Sequence, residues 1–78
     1  MAYTVVYRND IGGHVRDFCS FQSLDQAKIE LAILKKEFEN ECDDCGFLDC
    51  IEVLEDIDTH YEASDGEDCV EIQIVQDL

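Results

Sequence analysis

The chain has 78 residues, which is enough for one domain, because domains rarely fall below about 50 residues. Hydrophobic residues make up 46% of the sequence, too large a share for a disordered acidic tail. Twenty acidic and five basic side chains give a formal net charge of −15, which excludes direct binding to nucleic-acid phosphates or to an anionic membrane and favours a basic protein partner. We therefore expect a single domain over residues 1–78.

The N-terminal part of the sequence predicts a β-hairpin. Residues 3–8 are rich in aromatic and β-branched side chains and alternate in polarity, which is typical of a strand. Residues 9–13 include two glycines and suit a hairpin loop, because glycine and asparagine tolerate positive φ. Residues 14–21 then return as a second strand.

A capping box at residues 23–26 predicts a helix over residues 24–41, since the Ser23 hydroxyl can accept a backbone N–H while Gln26 reaches back. An apolar stripe at helical spacing should pack on the sheet, and it consists of Leu24, Ala27, Leu31, Leu34 and Phe38. Ile29 and Ile33 lie on the other side of this helix. They are either two isolated surface residues or a second interface, for a homodimer or for a partner.

The C-terminal part predicts two more strands. Residues 42–46 end the helix, with Gly46 suited to the turn that follows. Residues 47–57 contain a third strand, residues 58–68 form a polar flexible segment, and residues 69–76 form a fourth strand. The order ββαββ predicts an α+β two-layer sandwich, in which one helix packs on one face of a four-stranded antiparallel sheet.

The charges are unevenly distributed along the chain. Residues 1–36 hold all five Lys and Arg with four acids, whereas residues 37–78 hold sixteen acids and no Lys or Arg. Solubility alone does not require this exclusion, because mixed signs serve it equally well, although a surface charged only for solubility is the alternative interpretation. Acids two apart on a strand lie about 6.6–6.8 Å from one another, an interval similar to that between phosphates of a DNA strand. The candidate partner-binding residues are Asp49, Glu52, Glu55, Asp56, Asp58, Glu62, Asp65, Glu67, Asp68 and Glu71.

Four of the five cysteines offer a second interpretation, a small structural module stabilised by zinc. Cys42 and Cys45 have the spacing of a zinc knuckle, and Cys50 and Cys69 complete a set of four thiols. Against zinc, the second pair is divided between two strands, and neighbouring aspartates add negative charge to that of four thiolates. Reduced thiols without a metal are the simpler interpretation, so we expect no cofactor.

Catalysis and base recognition have little support. His14 and His60 have no nucleophile motif nearby, the sequence contains no phosphate-binding glycine-rich motif, and a domain of this size rarely forms a substrate pocket. We therefore predict that the protein is not an enzyme. Tyr3, Tyr7 and Phe18 could stack on bases, but core packing or cross-strand pairing explains them more simply.

The small size, the single α+β domain and the clustered acids of residues 37–78 resemble those of the small acidic proteins that phages and mobile elements use against host defence. Anti-CRISPR proteins and DNA-mimicking anti-restriction proteins are the examples. The resemblance includes no shared motif, so it assigns no role to any residue. It implies a stoichiometric inhibitor that occupies a nucleic-acid channel or interface of a defence complex. The near-neutral residues 1–36 depart from many DNA mimics and imply that only one side of the protein touches the basic surface.

The expected location is the cytoplasm, or the host cytoplasm if the protein is phage-encoded. The first residues lack the basic region and long apolar stretch of a secretory leader. The longest uninterrupted apolar run is residues 31–34, far below the roughly 20 residues that a membrane-spanning helix requires.

The charge distribution predicts that salt stabilises the fold. Sixteen acids without a nearby base repel one another, and salt screens this repulsion over a Debye length of about 8–10 Å. The melting temperature should rise between low and moderate salt and on mild acidification, as measured by circular dichroism. A melting temperature that ignores salt would show that the acids are compensated within the fold.

Overall fold

The computed structural model of the chain describes residues 2–11, 15–45 and 50–77. Five strands and one helix follow one another along the chain: β1 (Ala2–Asn9), β2 (Val15–Phe21), α1 (Leu24–Cys45), β3 (Glu52–Ile57), β4 (His60–Ser64) and β5 (Cys69–Asp77). The strands form one sheet in the order β2-β1-β5-β4-β3, and every neighbouring pair is antiparallel. The predicted α+β class, with one helix and an antiparallel sheet, is confirmed.

The pairing of β1 with β5 forms the centre of the sheet. Its register runs over eight residue pairs, from Ala2 opposite Asp77 to Asn9 opposite Val70. The strands that flank the helix in sequence, β2 and β3, are the two edge strands. The helix runs across one face of the sheet, where it packs on β2, β1, β5 and β4, and it leaves the other face open.

The core lies between the helix and the covered face of the sheet. Its buried residues alternate along the strands with residues of the open face, and they are Val5, Ala27, Leu31, Phe38, Cys42, Tyr61, Ala63, Val70 and Ile72. The rings of Phe38 and Tyr61 meet edge to face with 6.3 Å between their centroids. Three residues of the predicted helical stripe are thus buried, and Leu34 packs against them. No helix of the described residues is long and apolar enough to span a membrane.

The sheet has five strands, so the prediction of four was wrong. The additional strand, β4, lies inside residues 58–68, which were predicted to form a polar flexible segment. Tyr61 and Ala63 are buried on the covered face, and His60 and Glu62 alternate with them on the open face. The period of two was present in the sequence, but the surrounding acids concealed it.

The helix is longer at its C-terminal end than predicted. It continues past residue 41 to Cys45, since residues 24–45 include no glycine or proline. Cys42 is buried one turn beyond Phe38 and extends the apolar stripe. The third strand, predicted within residues 47–57, occupies Glu52–Ile57, while residues 46–49 lie outside the described residues.

Ile72 lies fully buried in β5 and provides a test of this core. Ile72→Val should lower the free energy of unfolding by about 0.5–1.5 kcal/mol, because the lost methyl group leaves a small cavity. Ile29→Val is the matched control, since Ile29 is 61% exposed on the helix and its change should remain within about 0.5 kcal/mol. Urea unfolding measures both. Equal losses at the two positions would contradict the placement of β5 at the centre of the core.

Candidate acidic binding surface

Three glutamates form a row across the face of the sheet that the helix leaves open. Glu62 of β4 is the direct cross-strand partner of Glu55 in β3 and of Glu71 in β5. Neighbouring strands are about 4.7–4.9 Å apart, and like charges directly opposite one another are destabilising. The fold therefore holds three carboxylates close together at a cost in stability.

His60 and Arg8 compensate the two ends of this row. The Nδ1 atom of His60 lies 3.2 Å from Glu55 Oε1, and its Nε2 atom lies 3.0 Å from Glu71 Oε2. Arg8 Nη2 approaches the other oxygen of Glu71 at 4.0 Å. The hydrogen bond to Glu71 is the main cause that raises the pKa of His60; burial opposes the shift, and Glu55 adds to it. Glu62, in the middle of the row, has no Lys, Arg or His partner among the described residues.

The turn between β4 and β5 carries three more of the predicted acids, one of which shapes the turn. Asp65 Oδ1 accepts hydrogen bonds from the backbone N–H groups of Asp68 at 2.8 Å and Glu67 at 2.9 Å, and these bonds lower the pKa of Asp65. Gly66 has a φ of 102°, in the left-handed region that favours glycine. The side chains of Glu67 and Asp68 are left exposed at the end of the sheet.

Asp56 and Asp58 form ion pairs with two lysines of the helix. Lys35 Nζ donates to both carboxylate oxygens of Asp56, at 2.7 and 2.8 Å, and Lys28 Nζ lies 3.2 Å from Asp58. Lys35 also lies 5.3 Å from the centroid of the Tyr61 ring, a favourable cation–π distance. Burial raises the pKa of Tyr61 to about 12, so the ring remains neutral at this site. These two aspartates connect the helix to the sheet.

The ten predicted partner-binding residues therefore separate. Seven lie on the open face or at the adjoining turn, and we call them the acidic surface: Glu52, Glu55, Glu62, Asp65, Glu67, Asp68 and Glu71. Asp56 and Asp58 belong to the helix side, and Asp49 lies outside the described residues. His60 and Arg8 were not among the predicted site residues. The signal that could have found them is the alternation of side chains along a strand. This alternation places Arg8 and His60 on the same face of the sheet as the glutamates of the neighbouring strands.

The two helical isoleucines are exposed as predicted for a surface position. Ile29 is 61% and Ile33 46% exposed, and with Ala32, Lys36 and Glu37 they line a shallow depression of about 360 Å³ on the outer side of the helix. Whether this depression is a second interface stays a prediction.

The described thiols are not brought together. Cys42 is buried in the core on the side of the helix that faces the sheet, whereas Cys69 lies on the open face, where its Sγ accepts a hydrogen bond from Arg8 at 3.5 Å. Cys50 is exposed, and His14 lies outside the described residues. Ligand atoms of His60, Glu62 and Glu71 lie within 4.8 Å of one another, a distance that a divalent cation can bridge. Both nitrogens of this imidazole face carboxylates, so a protonated His60 can donate a hydrogen bond to Glu55 and another to Glu71.

No protein-family model, curated protein or solved structure matches this chain. Its function must therefore be inferred from the acidic surface and from the fold that holds it.

The pairing of His60 with two glutamates predicts a pH-dependent contribution to stability. Because folding raises the pKa of His60, its contribution is fully present below the unfolded pKa of about 6.5 and is lost as the pH rises through the folded pKa. The stability gap between the wild type and His60→Gln should therefore be largest below about pH 6.5 and should narrow as the pH rises through the folded pKa. Urea midpoints at a series of pH values measure the gap, and a constant gap would show that His60 acts only through packing.

Proposed function

We propose that this chain is a non-enzymatic acidic binding protein that occupies a basic, nucleic-acid-binding surface of a protein partner. The observation that carries the proposal is the separation of charge by the fold. Seven acids are gathered on one part of the protein, while Arg16, Lys28 and Lys35 pair with acids elsewhere: Asp10, Asp58 and Asp56. The acidic surface is therefore left with Arg8 and His60 as its neighbouring cations among the described residues.

The acidic surface is energetically suited to a basic partner. Glu62 lies between two carboxylates, and a lysine or arginine from a partner would supply the counter-charge that this position lacks. Part of the binding free energy would then come from relief of repulsion inside the free protein. Such contacts favour fast association that depends strongly on salt, because the field of the whole surface steers the encounter.

The shape of the acidic surface is compatible with mimicry of a phosphate backbone. Carboxylates are repeated across strands at about 4.7–4.9 Å, and residues two apart on one strand at about 6.6–6.8 Å. The turn at Asp65–Asp68 extends this array beyond the end of the sheet. A partner surface that binds closely spaced phosphates would therefore encounter carboxylates at a similar spacing.

A phage-defence complex is the partner class that we propose, and the protein would then act in the cytoplasm of the cell that carries the complex. A defence nuclease must hold nucleic acid in a basic channel, and a small acidic domain can block that channel without any turnover. The inhibition should accordingly be stoichiometric, with one inhibitor for each channel.

The proposal is tested by competition. The protein is titrated into preformed nucleic-acid complexes of a panel of purified CRISPR effectors and restriction endonucleases, and release of labelled DNA is measured by fluorescence anisotropy. We expect the protein to displace labelled DNA from at least one class of enzyme, and to displace less DNA as the salt concentration rises. Binding without loss of DNA affinity would contradict mimicry, and the absence of binding throughout the panel would contradict the proposed partner class.

Two variants of equal charge identify the surface responsible. Replacement of Glu52, Glu62 and Glu67 by Gln should weaken displacement by roughly 3-fold to 160-fold, since exposed ion pairs contribute about 0.2–1 kcal/mol each. The matched control replaces Glu30, Glu37 and Glu41 of the helix by Gln, which changes the net charge equally and should have little effect. Equal weakening by both variants would show that only net charge matters.

A further inference from the structure

The two edges of the sheet differ in how they are protected against pairing. The β3 edge carries Glu52, Glu55 and Asp56, and its register with β4 shifts between Val53 and Glu55. Charges and bulges of this kind discourage a further strand from pairing. The register of β2 with β1 instead runs without a shift through seven pairs, and six of the seven residues of β2 are exposed. The β2 edge is thus long, regular and accessible.

The backbone of β2 has polar groups directed away from the sheet. The Phe18 N–H donates to the Oδ1 atom of the preceding residue, Asp17, at 2.9 Å, which indicates that it is directed away from β1. The backbone groups of successive residues in an antiparallel strand alternate in direction, so those of residues 16 and 20 are expected to be directed away from β1 as well. A second antiparallel strand could bond to residues 16 and 20, and also to Phe18 once its N–H is released from the Asp17 carboxylate.

Charge determines which molecule can approach this edge. β2 belongs to residues 1–36, whose formal charge is +1, and β1, β5 and β4 separate it from the acidic β3 edge. If two copies meet along β2, their β3 strands lie nine strand spacings apart, about 43 Å at about 4.8 Å each. That separation is several times the Debye length of about 8 Å at physiological salt, so the repulsion between the two β3 edges is largely screened. A second copy, which also has a net charge of −15, is therefore repelled less at the β2 edge than at the β3 edge.

We propose that β2 pairs with β2 of a second copy around a twofold axis and joins the two sheets into one of ten strands. A twofold axis at Phe18 lets all seven residues of β2 pair, and it places Arg16 opposite Ser20 and Asp17 opposite Cys19. An axis at Asp17 would instead set two aspartates directly opposite each other, which is unfavourable.

Apolar contact supports the same register. Phe18 is 68% exposed at the middle of β2, and Val6 is its cross-strand partner in β1. In the proposed dimer the two Phe18 rings face each other and the two Val6 side chains flank them, so an apolar row crosses the junction. The dimer would carry its two acidic surfaces at opposite ends, and two linked binding sites on one target would raise the overall affinity.

Sedimentation equilibrium over a range of protein concentrations tests the dimer. We expect a mass twice that of the chain for the wild type. Phe18→Lys should weaken dimerisation by at least tenfold, because it removes the apolar contact and sets two lysines opposite each other. Leu54→Lys is the matched control on the other edge, where the side chain is 55% exposed, and it should leave the dimer unchanged. Circular dichroism confirms that each variant is folded.

A cross-link establishes the register. In a background with Cys19→Ser and Cys50→Ser, Phe18→Cys should form an intermolecular disulfide on mild oxidation, since directly opposed residues have Cα atoms about 4.5–5.5 Å apart. Leu54→Cys in the same background should not. A wild-type protein that stays monomeric, a Leu54→Cys cross-link that forms as readily as that of Phe18→Cys, or a dimer abolished by Ile29→Lys with Ile33→Lys but not by Phe18→Lys would each overturn the proposal.

Discussion

The pairing of β1 with β5 is the constraint on which the rest of the structure depends. It joins the near-neutral hairpin of β1 and β2 to the acidic strands β4 and β3, and so fixes the sheet order. Because β2 and β3 then become opposite edges, the helix that lies between them in sequence must run across the strands that separate them. The same pairing converts a separation of charge along the sequence into a separation of charge in space.

The acidic residues of the segment 37–78 have different structural roles. Asp56 and Asp58 connect the sheet to lysines of the helix, and Asp65 shapes a turn by accepting backbone hydrogen bonds. The row through Glu62 has the opposite character, since three carboxylates face one another with compensation only at the ends. The fold thus uses some of its acids for its own stability and keeps others available for a partner.

Much of the fold could be predicted from local patterns, but the ion pairs could not. The capping box at Ser23 predicted the correct start of the helix, and the predicted fourth strand matches β5, in which Val70, Ile72 and Ile74 alternate on the covered face. β4 was missed because Tyr61 and Ala63 are its only apolar residues, and polar neighbours dominate any average over the segment. The Lys35–Asp56 pair joins residues 21 apart in the chain, so only the packing of the helix on the sheet brings them together.

The position of β5 also has a consequence for synthesis on the ribosome. β5 follows every other element in the chain and yet lies at the centre of the sheet, so β1 lacks its inner neighbour until residues 69–77 have emerged. The β1–β2 hairpin and the helix can form earlier, because their contacts are local, but the pairing of β1 with β5 closes a loop of about sixty residues and comes late. Val5 and the apolar side of the helix therefore remain accessible to chaperones until residues 69–77 have emerged. Vectorial synthesis thus delays the formation of the core until β5 arrives.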